Sequence, residues 1–114
     1  GRLVYAAAGS SGLMALADAL ELPGTYGIPR DRVFILLAGG ADALVNLAGA
    51  PEDDAAQAVR DVAATGLGAD DCLIAISASG STPFAMAALE EARRRGAATI
   101  AVANNAGAPM FGIA

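Results

Sequence analysis

Histidine, lysine and tryptophan are absent from this sequence of 114 residues, and cysteine occurs once. Without histidine the chain lacks the commonest general base and the commonest metal ligand, and no metal cluster can be assembled by spacing. The lone Cys72 cannot form an intrachain disulfide and lies in an apolar run, where it reads as a small core residue rather than a nucleophile. Aromatic residues make up only 4%, so there are few platforms on which bases could stack. With seven arginines against twelve acids, the formal net charge is −5. That balance gives no electrostatic reason to expect nucleic acid or an anionic membrane as partner. The longest apolar run, Val33–Ala41, falls well short of the ~20 residues a spanning helix needs, and no secretory leader is visible.

What is present is apolar and alanine-rich. Hydrophobic residues make up 55% of the chain, enough to bury the core of one small domain. The start at Gly1 and the apolar finish at Met110–Ala114 read as an excerpt of a longer protein. Four short runs, Leu3–Ala8, Val33–Ala38, Cys72–Ser77 and Thr99–Ala103, are near-continuously apolar. That pattern suits strands of a parallel sheet buried on both faces.

Helical patterns lie between them. Ser11–Leu22 reads as a helix stopped by Pro23-Gly24, and Gly40–Leu47 as a short one. Pro51–Thr65 has proline at its first position, followed by Glu52, Asp53 and Asp54 at the positive end of the dipole. Thr82–Arg95 ends in three arginines with Gly96 as its stop, and Glu90/Arg94 and Glu91/Arg95 are spaced for i,i+4 pairs. The order β-α-β-α-α-β-α-β belongs to a doubly wound, flavodoxin-like α/β domain. The expected strand order is 2-1-3-4.

Two strand-to-helix junctions share one composition, Ala8–Gly12 and Ser77–Thr82. Glycines there let backbone N–H groups point at an anion, hydroxyls add donors, and the following helix dipole favours negative charge. Ser/Gly turns also occur in many proteins that bind nothing. The order 2-1-3-4 distinguishes these two, because it opens both onto one crevice at the switch point of the sheet. The absence of lysine and of a G-x-x-x-x-G-K-[S/T] pattern argues against a nucleotide P-loop, and Gly9-Ser10-Ser11-Gly12 is not a dinucleotide fingerprint. Among the carboxylates, Glu21 falls at the unfavourable dipole end of its helix with Asp18 three residues earlier, whereas Glu52 has a ready account as a first-turn helix acid.

The run Gly1–Tyr5 through Ala8-Gly9-Ser10-Ser11-Gly12 resembles the sugar isomerase (SIS) domain of N-acetylmuramic acid 6-phosphate etherases. So do Asp18-Ala19-Leu20-Glu21, Thr25-Tyr26-Gly27, Ala38-Gly39-Gly40, Glu52-Asp53-Asp54, Ala78–Pro83 and Asn105–Pro109, in order and spacing. The resemblance implies a cytoplasmic, cofactor-free homodimer that binds a hexosamine 6-phosphate. The family splits the lactyl ether of N-acetylmuramate 6-phosphate to N-acetylglucosamine 6-phosphate and D-lactate in cell-wall recycling. It carries phosphate binding onto Ser11, Ser77, Ser79 and Thr82. It likewise carries catalysis onto Glu21, as acid at the ether oxygen, and onto Glu52, as candidate base at C2. Apolar neighbours and Asp18 are expected to raise the pKa of Glu21.

Family members read Gly-Thr-Ser-Gly-Arg and Ser-Gly-Arg-Thr-Pro where this chain has Leu13 and Ser81 in place of the arginines, which weakens anion binding. The family also has helices before the matched stretch and a further strand and helices after it. Rival readings are a non-catalytic sugar-phosphate sensor, an aldose–ketose isomerase, and a scaffold with both loops empty.

Overall fold

A computed structural model describes residues 1–40 and 54–114. The expected helix Gly40–Leu47, the start of the expected helix at Pro51, and Glu52 fall almost wholly outside them. Four parallel strands form one sheet: β1 (Leu3–Ala7), β2 (Val33–Leu37), β3 (Cys72–Ile76) and β4 (Ala98–Val102). Their order is β2-β1-β3-β4, as the sequence implied. The central strand β1 pairs Leu3 with Val33 on one side and with Cys72 on the other.

Alternation along the strands divides the core in two. On one face Val4 and Ala6 of β1 and Leu73 and Ala75 of β3 are covered by two helices. These are α2 (Ala55–Thr65), through Ala58 and Val62, and α3 (Pro83–Arg94), through Phe84, Ala88 and Leu89. The short α4 (Met110–Ile113) adds Met110 to that side. On the other face, among the described residues, Tyr5 and Ala7 meet α1 (Ser10–Tyr26) through Ala15 and Ala19. Small alanine side chains let these helices lie close to the sheet, which maximises dispersion contact in a chain poor in large residues.

Burial on both faces therefore holds for β1 but not for all four strands. In β4 alternate residues are open, Ile100 and Val102 being 47% and 46% exposed, because α1 does not extend across that half of the second face. Cys72 is half-buried rather than fully internal, and burial pushes its thiol pKa up. No helix among the described residues is long and apolar enough to cross a membrane.

Two helix boundaries differ from the sequence reading. Helix α1 runs through Pro23 and Gly24 and stops at Gly27, which takes the left-handed conformation (φ 70°) and donates its N–H to the Leu22 carbonyl. A proline costs an internal helix one hydrogen bond, and here the left-handed glycine rather than Pro23 ends the helix. Helix α2 begins at Ala55, not Pro51, because the Asp54 carboxylate caps it by accepting the Gln57 N–H at 2.9 Å. Helix α3 matches its expected span within a residue at each end, with Pro83 in its first turn and Gly96 (φ 82°) beyond it.

Of the two expected i,i+4 pairs, Glu91/Arg95 forms, whereas Arg94 turns from Glu90 to Glu91. Glu91 holds both Arg94, at 2.5 Å, and Arg95, at 2.9 Å, while Glu90 is exposed. The Glu91 carboxylate is only 7% exposed. A buried charge gains more from a partner than an exposed one does, and the two arginines, Arg94 first, lower its pKa.

Candidate anion site

Strands β1 and β3 are neighbours with Ala7 opposite Ile76, so the loops that leave them start side by side. In the second loop Ser77 is 3% exposed and anchors a ring of hydroxyls. Its Oγ accepts the Gly80 N–H at 3.1 Å, lies 2.6 Å from Thr82 Oγ1 and 3.4 Å from Ser79 Oγ. Ser79 Oγ in turn accepts from the N–H and the hydroxyl of Ser81, at 3.2 and 3.1 Å. Thr82 is the N-cap of α3, but its hydroxyl is turned to Ser77 and makes no capping bond. The first-turn N–H groups of α3 therefore have no side-chain acceptor among the described residues.

The first loop has the same property by another route. Gly9, at φ 59°, is the N-cap of α1 and has no side chain with which to cap it. Ser11 is half-buried in the first turn of that helix. Two helices without side-chain caps thus follow neighbouring strands, and an uncapped helix N-terminus favours an anion.

Between the loops lies a cavity of about 70 Å³, lined by Ser11, Met14, Ile76, Ser77, Val102 and Asn104, among others. Its volume is roughly that of two water molecules, room for a small polar group and not for a whole sugar ring. Among the described residues, no arginine and no carboxylate lines it. The polar groups they offer there are backbone N–H groups, seryl hydroxyls and the Asn104 carboxamide.

Larger cavities exist elsewhere and do not match the chemistry. One of about 520 Å³ is lined by Arg2, Asp31, Arg32 and Asp70, around the strand starts, and carries charges of both signs. Another of about 190 Å³ lies under Pro23, between Ala19 and Val33.

The second loop is braced from behind. The Asn104 N–H donates to the Ala78 carbonyl at 3.0 Å, and the Met110 N–H to that of Gly80 at 3.1 Å. Gly80 has φ +74°, and a Cβ added there would come within 2.1 Å of the Ala108 Cβ. The sequence reading missed this brace, although Asn104 and Asn105 directly after the fourth strand marked where the chain returns to the crevice.

Of the residues expected to bind phosphate, Ser77, Ser79 and Thr82 share one hydrogen-bonded loop, and Ser11 meets Ser77 at the cavity. Glu21 is elsewhere. It sits ten residues beyond Ser11 on α1, or ~15 Å along the helix axis, and is exposed. Its neighbour Leu20 is 68% exposed, so its own chain does not supply the apolar surroundings expected for it. Asp18 does not attend Glu21 either: it accepts the Tyr5 hydroxyl at 2.5 Å. Burial, with that hydrogen bond and the Asp18 charge, raises the Tyr5 phenol pKa well above its usual value.

Residues 1–93 match the family model described as the glucokinase regulatory protein N-terminal SIS domain. Over 111 residues the chain is 46% identical to an N-acetylmuramic acid 6-phosphate etherase of Deinococcus radiodurans, covering 97% of this chain and 36% of that one. Over 105 residues it is 48% identical to the etherase of Symbiobacterium thermophilum, with 92% and 35% covered. The chain thus spans about a third of the length of the relatives it matches. Among solved structures, a phosphoheptose isomerase from Francisella tularensis superposes with a TM-score of 0.72 at 23% identity, covering 99% of this chain and 59% of that one. One from Neisseria gonorrhoeae gives 0.71 at 20% identity, with 98% and 57% covered. At such identities these two establish the shared fold.

Proposed function

Because the chain belongs to the family of the glucokinase regulatory protein N-terminal SIS domain, we propose that it is the sugar-phosphate-binding core of an N-acetylmuramic acid 6-phosphate etherase. The observation that carries the binding part is that Ser11, in the first turn of α1, and Ser77, hub of the loop that leads into α3, line one cavity, while neither helix has a side-chain cap. The phosphate of a hexosamine 6-phosphate sits there, on the hydroxyls of Ser11, Ser77, Ser79 and Thr82 and the N–H groups of the helix starts. The identity to etherases supports the choice of substrate.

The reaction begins from the open-chain sugar, whose C2 proton is acidic because it lies α to the C1 aldehyde. Glu52 removes that proton. Glu21 protonates the ether oxygen on C3 as D-lactate leaves, and then helps water add at C3 of the unsaturated sugar. Each positioned acid or base contributes ~10²–10⁴-fold. Glu21 is ~15 Å along α1 from Ser11, farther than a hexose reaches from its own phosphate. In this reading the protein is a cytoplasmic homodimer without cofactor, and Glu21 of one copy serves the cradle of the other.

The test is lactate release from N-acetylmuramate 6-phosphate. Wild type releases lactate and Glu21→Gln does not; equal release by the two, or none by wild type, rejects the etherase. Leu13 and Ser81 favour one rival. They stand where the family reads arginine, so the site has lost cations, and a sensor that binds without turning over needs them least. Tight binding of N-acetylglucosamine 6-phosphate with no lactate release selects the sensor.

A further inference from the structure

Two adjacent asparagines follow β4, and only one of them has a structural task. Asn105 builds the turn: its Oδ1 accepts the Gly107 N–H at 3.2 Å, and its carbonyl accepts the Ala108 N–H at 3.0 Å. Asn104 is held by its backbone alone, through its N–H on the Ala78 carbonyl. Asn104 is an exposed residue that lines the cavity with Ser11 and Ser77, and its carboxamide has no hydrogen-bond partner among the described residues.

We propose that Asn104 is a specificity-determining residue, whose carboxamide bonds a neutral polar substituent of the sugar, a hydroxyl or an amide, while the phosphate lies on the seryl loops. The inference rests on the phosphate-cradle reading above. Ala78 belongs to the second loop, so its hydrogen bond fixes the Asn104 backbone to the cradle and sets the distance between phosphate and carboxamide. The wall beside it, Met14, Ile76 and Val102, is apolar and cannot read a hydroxyl. Asn104 offers both a donor and an acceptor there. With no charge among the described residues of the cavity lining, it matches a neutral group, and an asparagine reads one without the desolvation cost of an ion.

The test is calorimetric titration of the purified protein with N-acetylglucosamine 6-phosphate and, separately, with inorganic phosphate. Asn104→Ala weakens the sugar phosphate about tenfold, the scale of one lost neutral hydrogen bond, and leaves inorganic phosphate within about twofold. Asn104→Leu, close to asparagine in size, gives the same split if alanine disturbs the loop. Equal weakening of both ligands, or no weakening of either, overturns the role of Asn104. If wild type binds inorganic phosphate but the sugar phosphate no more tightly, the role falls and the cradle stands. If wild type binds neither, both fall.

Discussion

The Cβ of Ala108 stands 2.1 Å from where a Cβ on Gly80 would be. Gly80 is therefore required twice, by that contact and by its φ of +74°. A Gly80→Ala protein meets left-handed strain and an overpacked contact together, for a combined loss of about 2–4 kcal/mol. The expected fall in Tm is roughly 10 °C, with loss of phosphate binding. Adding Ala108→Gly removes the nearer contact but leaves the Ala103 Cβ at 3.0 Å and the φ strain. Thermal melts of the single and double variants should show partial recovery only.

Ser77 is the hub of the hydroxyl ring, and its loss is felt in stability as well as binding. Ser77→Ala leaves the Gly80 N–H without its acceptor and Thr82 Oγ1 without its near partner. A buried donor left unpaired costs about 1–3 kcal/mol, readable by urea denaturation. Phosphate affinity should fall at least about tenfold. Ser79→Ala, on the exposed side of the loop, should weaken binding with little change in stability.

Much of this was legible from the residues, and the failures have identifiable physical causes. Buried parallel strands are continuously apolar, so Leu3–Ala7 and Cys72–Ile76 were readable nearly to the residue. The seryl loops were readable because a strand, a glycine turn and a helix start follow in immediate succession. The end of α1 was not, since Pro23 is a strong stop by local propensity while the actual stop, Gly27, depends on how the chain turns afterwards. The i,i+4 pair of Glu91 with Arg95 was legible, but the choice of Glu91 over Glu90 by Arg94 was not, because it depends on the burial of Glu91 by the packing of α3. The brace of Ala108 on Gly80 joins positions far apart in sequence and has no periodic signature. The distance of Glu21 from the cradle was legible, since the expected helix Ser11–Leu22 already sets ten residues between Ser11 and Glu21; the exposure of Glu21 was not, because it depends on what packs beside the end of α1.

Away from the site, Arg2 and Asp71 tie the start of β1 to the turn before β3. The Asp71 carboxylate accepts the Arg2 N–H at 2.7 Å and the Gly68 N–H at 2.9 Å, and pairs with the guanidinium at 3.0 Å. These contacts, led by the Arg2 side chain, pull its pKa down from 3.8 to about 2. Because the folded carboxyl is the stronger acid, the unfolded chain binds more protons between those values. The stabilisation is complete above about pH 5 and is lost as pH falls from about 4 through about 2. It amounts to at most about 2–3 kcal/mol, reduced by solvent screening around the part-exposed guanidinium. Asp71→Asn should lower stability at pH 7 and flatten the acid limb of a stability-versus-pH curve measured by urea unfolding.

The central claim is that both loops hold the phosphate of a sugar, and titration of one sugar with and without its phosphate addresses it directly. N-acetylglucosamine 6-phosphate should bind wild type. It should bind Ser11→Ala and Ser77→Ala at least about tenfold more weakly, while unphosphorylated N-acetylglucosamine binds none of the three measurably. Equal affinity for the two sugars, or sugar-phosphate binding that survives both substitutions unchanged, would contradict it.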